Sequence, residues 1–132
     1  MTPTAQQLRS RLDESPLLDV GDNFWEVEFR ALGSACELFF AAKDRDEAMS
    51  FRGAAFDWLA EFEARCSRFL PDSEVSTVNH NAGREWTPIA PQVEMLLDLC
   101  DHYHFVTEGA FDATSLPLSL LWDWKRDRKS VV

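Results

Sequence analysis

The chain has 132 residues, of which 13 are Lys or Arg and 23 are Asp or Glu, so its formal net charge at pH 7 is −10. This acidity argues against a binder of duplex nucleic acid, because such binding depends largely on basic side chains that neutralise phosphates. Hydrophobic residues make up 45% of the chain, which is enough to pack a core and excludes a wholly disordered protein. The length favours one globular domain.

Signals for targeting or disulfide formation are absent from the sequence. No apolar stretch is long enough to span a bilayer, and residues 1–23 lack the apolar core and the small-residue cleavage site of a secretory signal. Cys36, Cys66 and Cys100 are widely spaced and odd in number, which does not suit a disulfide framework or a zinc knuckle. We expect buried thiols, a cytoplasmic location and no insertion into a membrane.

The first segment, residues 1–23, is polar, and its weak amphipathic run is interrupted by Pro3, Pro16 and Gly21. Proline and glycine at such intervals favour turns and irregular structure. We expect a polar N-terminal arm that lies outside the core.

Two apolar stretches follow. Residues 24–30 alternate between apolar and polar side chains, which is the period of a half-buried strand, and residues 35–42 form a second apolar run. The short connection between them, residues 31–34, predicts either an antiparallel hairpin or one strand bent at Gly33. The apolar face of such a sheet requires a helix to cover it.

Residues 43–69 contain no proline and carry apolar side chains at intervals of three or four, which predicts a long helix. Asp44 followed by Glu47 is typical of a capping box at its start, and Pro71 closes it. The predicted apolar face consists of Ala48, Phe51, Ala55, Leu59, Phe62, Cys66 and Phe69.

The remaining elements are shorter, except for one helix. Ser73 is suited to cap a short helical turn, and residues 86–89 form a possible strand. A second long helix is predicted to begin at Pro91 and to end near Gly109, which favours the left-handed conformation of a C-cap. The expected fold is α+β, an antiparallel sheet packed by two long helices.

Common catalytic signatures are absent: no nucleophile elbow, Walker loop, dinucleotide-binding glycine motif or zinc-protease motif occurs. His102 and His104 lie two positions apart on a predicted helix, so their side chains point in different directions and do not bind one metal ion. We expect no metal ligands, and catalytic residues stay unassigned.

Three loop segments combine glycine, hydroxyl, aromatic and acidic residues of the kind that collects at small-molecule sites. They are Gly33 with Ser34, the stretch 67–74 (SRFLPDSE) and the stretch 109–114 (GAFDAT). Taken singly, each is also explained as a turn with structural caps.

Together, SRFLPDSEVSTVN (Ser67–Asn79), the helix after it and TEGAFDATSLPLSLLWDW (Thr107–Trp124) resemble the N-terminal half of the ApbE-type FAD:protein FMN transferases, the flavin transferase family. The resemblance runs from about Phe24 to Trp124, so residues 24–124 are expected to form about half of the ApbE-like domain. Residues 1–23 would be the arm, and residues 125–132 a basic tail where the domain is truncated.

The resemblance implies a magnesium-dependent enzyme that splits the pyrophosphate of FAD, transfers FMN to a threonine or serine of a target flavoprotein and releases AMP. Some members hydrolyse FAD instead. In the family, a later segment supplies a lysine and the Mg²⁺ ligands, so we expect these ligands outside this chain and little activity from the 132 residues alone. The alternative is a non-catalytic fragment that binds flavin or has a structural role only.

The resemblance also assigns contacts with FAD to individual residues. Leu32 takes the place of a flavin-contacting methionine and keeps apolar contact, whereas Phe69 takes the place of a tyrosine and keeps stacking without the hydroxyl. Asp112 would accept a hydrogen bond from FAD or organise its loop, and Thr114 would fix that loop. The complete candidate set is Leu32, Gly33, Ser34, Phe69, Ala110, Phe111, Asp112 and Thr114.

Overall fold

The computed structural model describes residues 1–121, without the side chains of residues 119 and 120. The chain forms two compact units, of which the first is Met1–Ala90 and the second begins at Pro91. The helices are α1 (Pro3–Asp13), α2 (Arg45–Cys66), α3 (Glu74–Asn81), α4 (Pro91–Val106) and α5 (Leu116–Leu121), and the strands are β1 (Leu18–Gly21), β2 (Phe24–Ala31) and β3 (Ser34–Ala41). Residues 122–124 of the expected domain and the expected tail, residues 125–132, lie outside the described residues.

The sheet has three antiparallel strands in the order β1-β2-β3, so the architecture is α+β, as the sequence predicts. Strands β2 and β3 pair from Phe24 opposite Ala41 to Ala31 opposite Ser34, which confirms the hairpin. The two residues between the strands, Leu32 and Gly33, both have positive φ (53° and 75°). Two successive residues of this kind are typical of the tight turn whose twist matches a hairpin.

The alternation along β2 also agrees with the sequence pattern, because Trp25, Val27, Phe29 and Ala31 are all buried. These residues pack in one cluster with Phe56 and the small residues of α2. Because side chains alternate along a strand, the apolar residues of β2 all lie on one face of the sheet, and α2 covers this face.

Residues 1–23 differ from the irregular arm that their composition predicts. Helix α1 begins at Pro3, with the Thr2 side chain accepting a hydrogen bond from the backbone of Ala5, and its Leu12 is 5% exposed. The helix packs against α2, and Leu12 and Leu17 belong to the core cluster. The sequence pattern misses α1 because most of its polar side chains face solvent while only a few small or apolar residues are buried.

The docking of α1 depends on Arg52, a charged residue of α2 that is 7% exposed. Its guanidinium donates hydrogen bonds to the backbone carbonyls of Asp13 (2.9 Å) and Ser15 (2.7 Å) and lies 4.9 Å from the ring centre of Phe56. Carbonyl groups at the end of a helix have no partner within the helix. Arg52 supplies these partners, which explains why a cation is buried here.

Helix α2 begins as predicted, since the Asp44 side chain accepts a hydrogen bond from the Glu47 backbone at 2.9 Å. Its buried face, however, is rotated from the predicted one. The buried residues are Ala48, Arg52, Phe56 and Ala60, whereas Phe51, which was expected in the core, is 48% exposed. The face shifts because α2 contacts α1 as well as the sheet, and the contact with α1 includes Arg52.

Helix α2 ends at Cys66, so residues 67–69, which the pattern includes in the helix, lie beyond it, and Phe69 is exposed. The later segments agree with the sequence patterns except at one strand. Ser73 caps α3, as predicted, by accepting a hydrogen bond from the Ser76 backbone at 3.0 Å. The strand expected at residues 86–89 is wrong, because these residues form no regular element and Trp86 is fully exposed. Helix α4 confirms the second long helix and forms part of the second unit. Within the first unit, the sheet is contacted by α1 and α2.

Among the helices of residues 1–121, none is both long enough and apolar enough to cross a membrane. The three cysteines are free thiols, and each is half-buried. Burial raises the pKa of the Cys66 thiol, and the nearby Glu74 carboxylate raises it further.

Candidate functional site

The turn at residues 32–34 lies in the first unit and is tied to the end of α2. The backbone N–H of Leu32 donates a hydrogen bond to the Glu63 carboxylate at 3.0 Å. The Leu32 side chain is 47% exposed, so its apolar surface is available to a ligand. A Cβ placed on Gly33 would meet no atom within 4 Å, so this position needs glycine for its positive φ and not for a close contact.

A small cavity of about 150 Å³ lies beside this turn. Gly33, Ser34 and Glu63 border it on one side, and Leu8, Arg11 and Leu12 of α1 border it on another. The unpredicted helix α1 therefore forms part of the surroundings of a predicted flavin-contacting segment.

The segment 67–74 divides into structural and exposed residues. Ser73 is 1% exposed and caps α3. The Glu74 carboxylate accepts a hydrogen bond from Arg65 at 2.9 Å and another from the Ala90 backbone at 2.7 Å. These two residues hold the segment in place, and this role explains their presence in SRFLPDSE without any ligand.

Arg68 and Phe69, by contrast, are exposed. The Phe69 ring is 77% exposed, and the Arg68 guanidinium carbon lies 4.3 Å from the ring centre. A cation over an aromatic face is a favourable arrangement. One face of the ring is thus occupied, and the backbone carbonyl of Arg68 accepts a hydrogen bond from the Ser76 hydroxyl at 3.4 Å.

The loop 109–114 follows α4 in the second unit. Glu108 and Gly109 have positive φ (52° and 83°), and the Gly109 N–H donates to the His104 carbonyl at 2.8 Å, which closes the helix. Phe111 is 42% exposed, and its ring lies edge-on to Tyr103 with centres 6.1 Å apart. The loop therefore folds back over the last turn of its own helix.

Asp112 is exposed. Its carboxylate accepts hydrogen bonds from both the Thr114 hydroxyl and the Thr114 backbone N–H, each at 2.7 Å. The Thr114 hydroxyl is the main cause that lowers the pKa of Asp112, the backbone N–H adds to this effect, and the charge of His104 contributes less. Asp112 is therefore ionised at neutral pH and organises its own loop.

The described residues offer no evident metal centre. Within residues 1–121, no group of three or more His, Cys, Asp or Glu side chains is placed so that it could hold a metal ion. A Mg²⁺ site of oxygen ligands normally requires carboxylates that converge on one point. The residues described here do not fit such a site.

Each unit brings part of the candidate set together. In the first unit, Glu63 links the 32–34 turn to the helix that leads into Phe69. In the second unit, residues 110–114 form one loop. Sequence patterns missed three residues that hold these segments: Glu63, His104 and Thr107. Glu63 resembles any other acid on a solvated helix face, whereas Thr107 stands within the quoted motif.

Comparison with known proteins gives one match. The model of the ApbE family matches residues 26–132, well over half of the chain. No curated protein and no solved structure matches the chain. The match includes the whole candidate set from Leu32 to Thr114 and agrees with the resemblance carried by residues 67–79 and 107–124. The chain belongs to the ApbE family.

Proposed function

We propose that the chain provides the FAD-binding half of an FAD:protein FMN transferase. In this reaction a threonine or serine hydroxyl of the target flavoprotein attacks the phosphorus of the FMN half. The bond from that phosphorus to the bridging oxygen breaks, AMP leaves with this oxygen, and the hydroxyl proton is released. The observation that carries the proposal is the family match over residues 26–132, which includes every residue of the candidate set.

The proposed flavin contacts use the chemistry of exposed side chains. Phe69 offers an aromatic face for stacking, and Leu32 offers apolar surface. The Gly33 and Ser34 positions supply backbone N–H groups and a hydroxyl. Ala110 and Phe111 would lie along FAD, and Asp112 would accept a hydrogen bond through the lone pairs that Thr114 leaves free.

Magnesium would offset the charge of the pyrophosphate during transfer. Residues 1–121 contain no converging ligand set for this ion. The alternative function is a flavin-binding fragment without transferase activity. A third possible function is hydrolysis of FAD, in which water attacks in place of the protein hydroxyl.

Titration of the purified chain with FAD, followed by flavin fluorescence and calorimetry, tests the proposal. We expect FAD to bind, and we expect riboflavin, which keeps the ring but lacks the phosphates, to bind more weakly. Phe69→Ala should weaken FAD affinity by about 1–3 kcal/mol because it removes the stacking surface. Phe69→Tyr should bind as the wild type does, because the ring is kept.

Outcomes of this experiment separate the alternatives. Failure of the wild-type chain to bind either FAD or riboflavin would contradict the proposed function. FAD binding without release of AMP, measured by chromatography with Mg²⁺ present, would favour the flavin-binding fragment. Release of AMP and free FMN without any acceptor protein would indicate hydrolysis. Unchanged affinity in Phe69→Ala would remove this residue from the site.

A further inference from the structure

The backbone of Phe111 is held on both sides, by His104 of α4 and by Thr107, the residue that follows the end of α4. The Phe111 carbonyl lies 3.0 Å from Nδ1 of His104, and the Phe111 N–H donates to the Thr107 hydroxyl at 2.9 Å. The Thr107 hydroxyl in turn donates to the Tyr103 carbonyl at 2.7 Å. Both polar groups of Phe111 are therefore bonded to side chains at or just after the end of α4.

The contact between His104 and the Phe111 carbonyl indicates which nitrogen of the imidazole carries a proton. A carbonyl oxygen only accepts hydrogen bonds, so the proton must be on Nδ1. The ring also lies close to Gly109, because a Cβ on this residue would be 3.6 Å from Cε1 and 3.9 Å from Nε2. The glycine allows the backbone to turn with φ of 83° and leaves the space beside the ring open.

These contacts matter for a ligand because a loop that is already ordered loses little entropy when it binds. The loop is otherwise exposed: residues 107–115 are all at the surface. Apolar burial therefore contributes little to its order, and hydrogen bonds from α4 and from Asp112 to Thr114 are the main restraints. Of the residues that bond to Phe111, His104 lies outside both quoted family motifs.

We propose that His104 is a positioning residue, which fixes the Phe111 peptide so that the loop is preformed for the flavin substrate. This inference rests on the proposed function. His104 acts on the ligand through the loop and needs no contact with FAD itself.

Three variants of the full chain test the role of His104. His104→Leu replaces the imidazole by an apolar side chain of similar size, which cannot donate the hydrogen bond. His104→Asn places an amide N–H where Nδ1 lies, so it restores the donor. His80→Leu is the matched control, because both histidines are exposed residues in the last turn of a helix. It removes an exposed histidine from a helix end in the first unit.

Two measurements are made on each variant. Amide hydrogen exchange of residues 107–115 without ligand reports on the loop alone, and titration with FAD reports on binding. Loss of one hydrogen bond corresponds to about a three- to tenfold effect. We expect His104→Leu to exchange faster and to bind FAD more weakly by this factor. The exchange rates and the FAD affinity of His104→Asn should stay within about twofold of the wild type. Those of His80→Leu should equal the wild-type values.

The outcomes separate this proposal from the proposed function. FAD affinity equal to that of the wild type in His104→Leu, or affinity in His104→Asn as weak as in His104→Leu, would overturn the positioning role. If thermal unfolding shows that His104→Leu does not fold, His104→Gln takes its place with the same expected result, because its amide N–H corresponds to Nε2 and does not reach the Phe111 carbonyl as Nδ1 does. Absence of FAD binding in the wild type would reject the proposed function and this role together, whatever the exchange rates show.

Discussion

The turn at residues 32–34 and the loop at residues 109–114 are both proposed to contact FAD, yet they are held in different ways. The turn has one hydrogen bond to a neighbouring element, from Leu32 to the Glu63 carboxylate, and open space around Gly33. The loop is bonded to its own helix through His104 and Thr107 and to itself through Asp112. A hairpin fixes its turn through strand pairing, whereas a loop after a helix needs local partners.

The largest expected effect is on the stability of the first unit, which carries the turn. Arg52→Ala removes the donor to the Asp13 and Ser15 carbonyls and the cation that lies over Phe56. Because these contacts are buried, we expect a loss of about 2–4 kcal/mol in the free energy of unfolding. Chemical denaturation measures this loss, and Arg84→Ala, at an exposed position, is the control. Equal stability of the two variants would show that α1 is not held through Arg52.

A pair of asparagine substitutions sharpens the comparison. Asparagine tolerates positive φ better than most residues, so Gly33→Asn should cost less than about 1 kcal/mol in the open turn. In Gly109→Asn the new Cβ lies in van der Waals contact with the His104 ring, and the amide group beyond it must find space beside the ring, so we expect a cost of about 1–2 kcal/mol. Thermal unfolding and amide exchange measure both. The same effect at both positions would mean that the ring does not restrict position 109.

The single bond of the turn is tested by Glu63→Ala, with Glu63→Gln as its control. Alanine leaves the Leu32 N–H without its acceptor, and we expect a loss of about 0.5–1.5 kcal/mol. Glutamine keeps an acceptor oxygen and should retain most of the stability. Faster exchange of the Leu32 amide, resolved by NMR, would report the effect locally. Unchanged exchange in Glu63→Ala would show that strand pairing alone fixes the turn.

The smallest expected effect is the pH dependence of the loop. The pKa of Asp112 is lowered in the folded chain, so the stabilisation from its bonds to Thr114 is present above the ordinary pKa of aspartate and is lost as pH falls through the lowered value. NMR of the Thr114 amide between neutral and strongly acid pH should show this transition. In Asp112→Asn the transition should be absent. A midpoint at or above the ordinary aspartate range would contradict the bonding described.

Sequence patterns predict the elements whose stability is local. The period of two in β2, the Asp44 cap and the left-handed Gly109 each depend on residues within a few positions of one another. The patterns fail where the burial of a residue depends on polar groups far away in the sequence. Helix α1 is polar, and the position of Arg52 on α2 predicts exposure until the carbonyls of Asp13 and Ser15 are known to need donors.

The candidate site shows the same division. Ser73 is predictable as a cap, because its serine stands directly before an acidic first turn. The anchor of the loop is not predictable in this way, since His104 reaches Phe111 only because the backbone reverses at Glu108 and Gly109. Whether each candidate residue contacts FAD stays a prediction, which the titrations above test.

The docking of α1 has a practical consequence for anyone who cuts the gene by family boundaries. The family match begins at residue 26, after α1 and β1 and one residue past Trp25, which is 6% exposed. A shortened protein that starts at this boundary would lose Leu12, Leu17 and Trp25 and would leave Phe56 and the Arg52 guanidinium uncovered. Expression trials should therefore begin at Met1, because a boundary drawn from the family alone cuts through the core of the first unit.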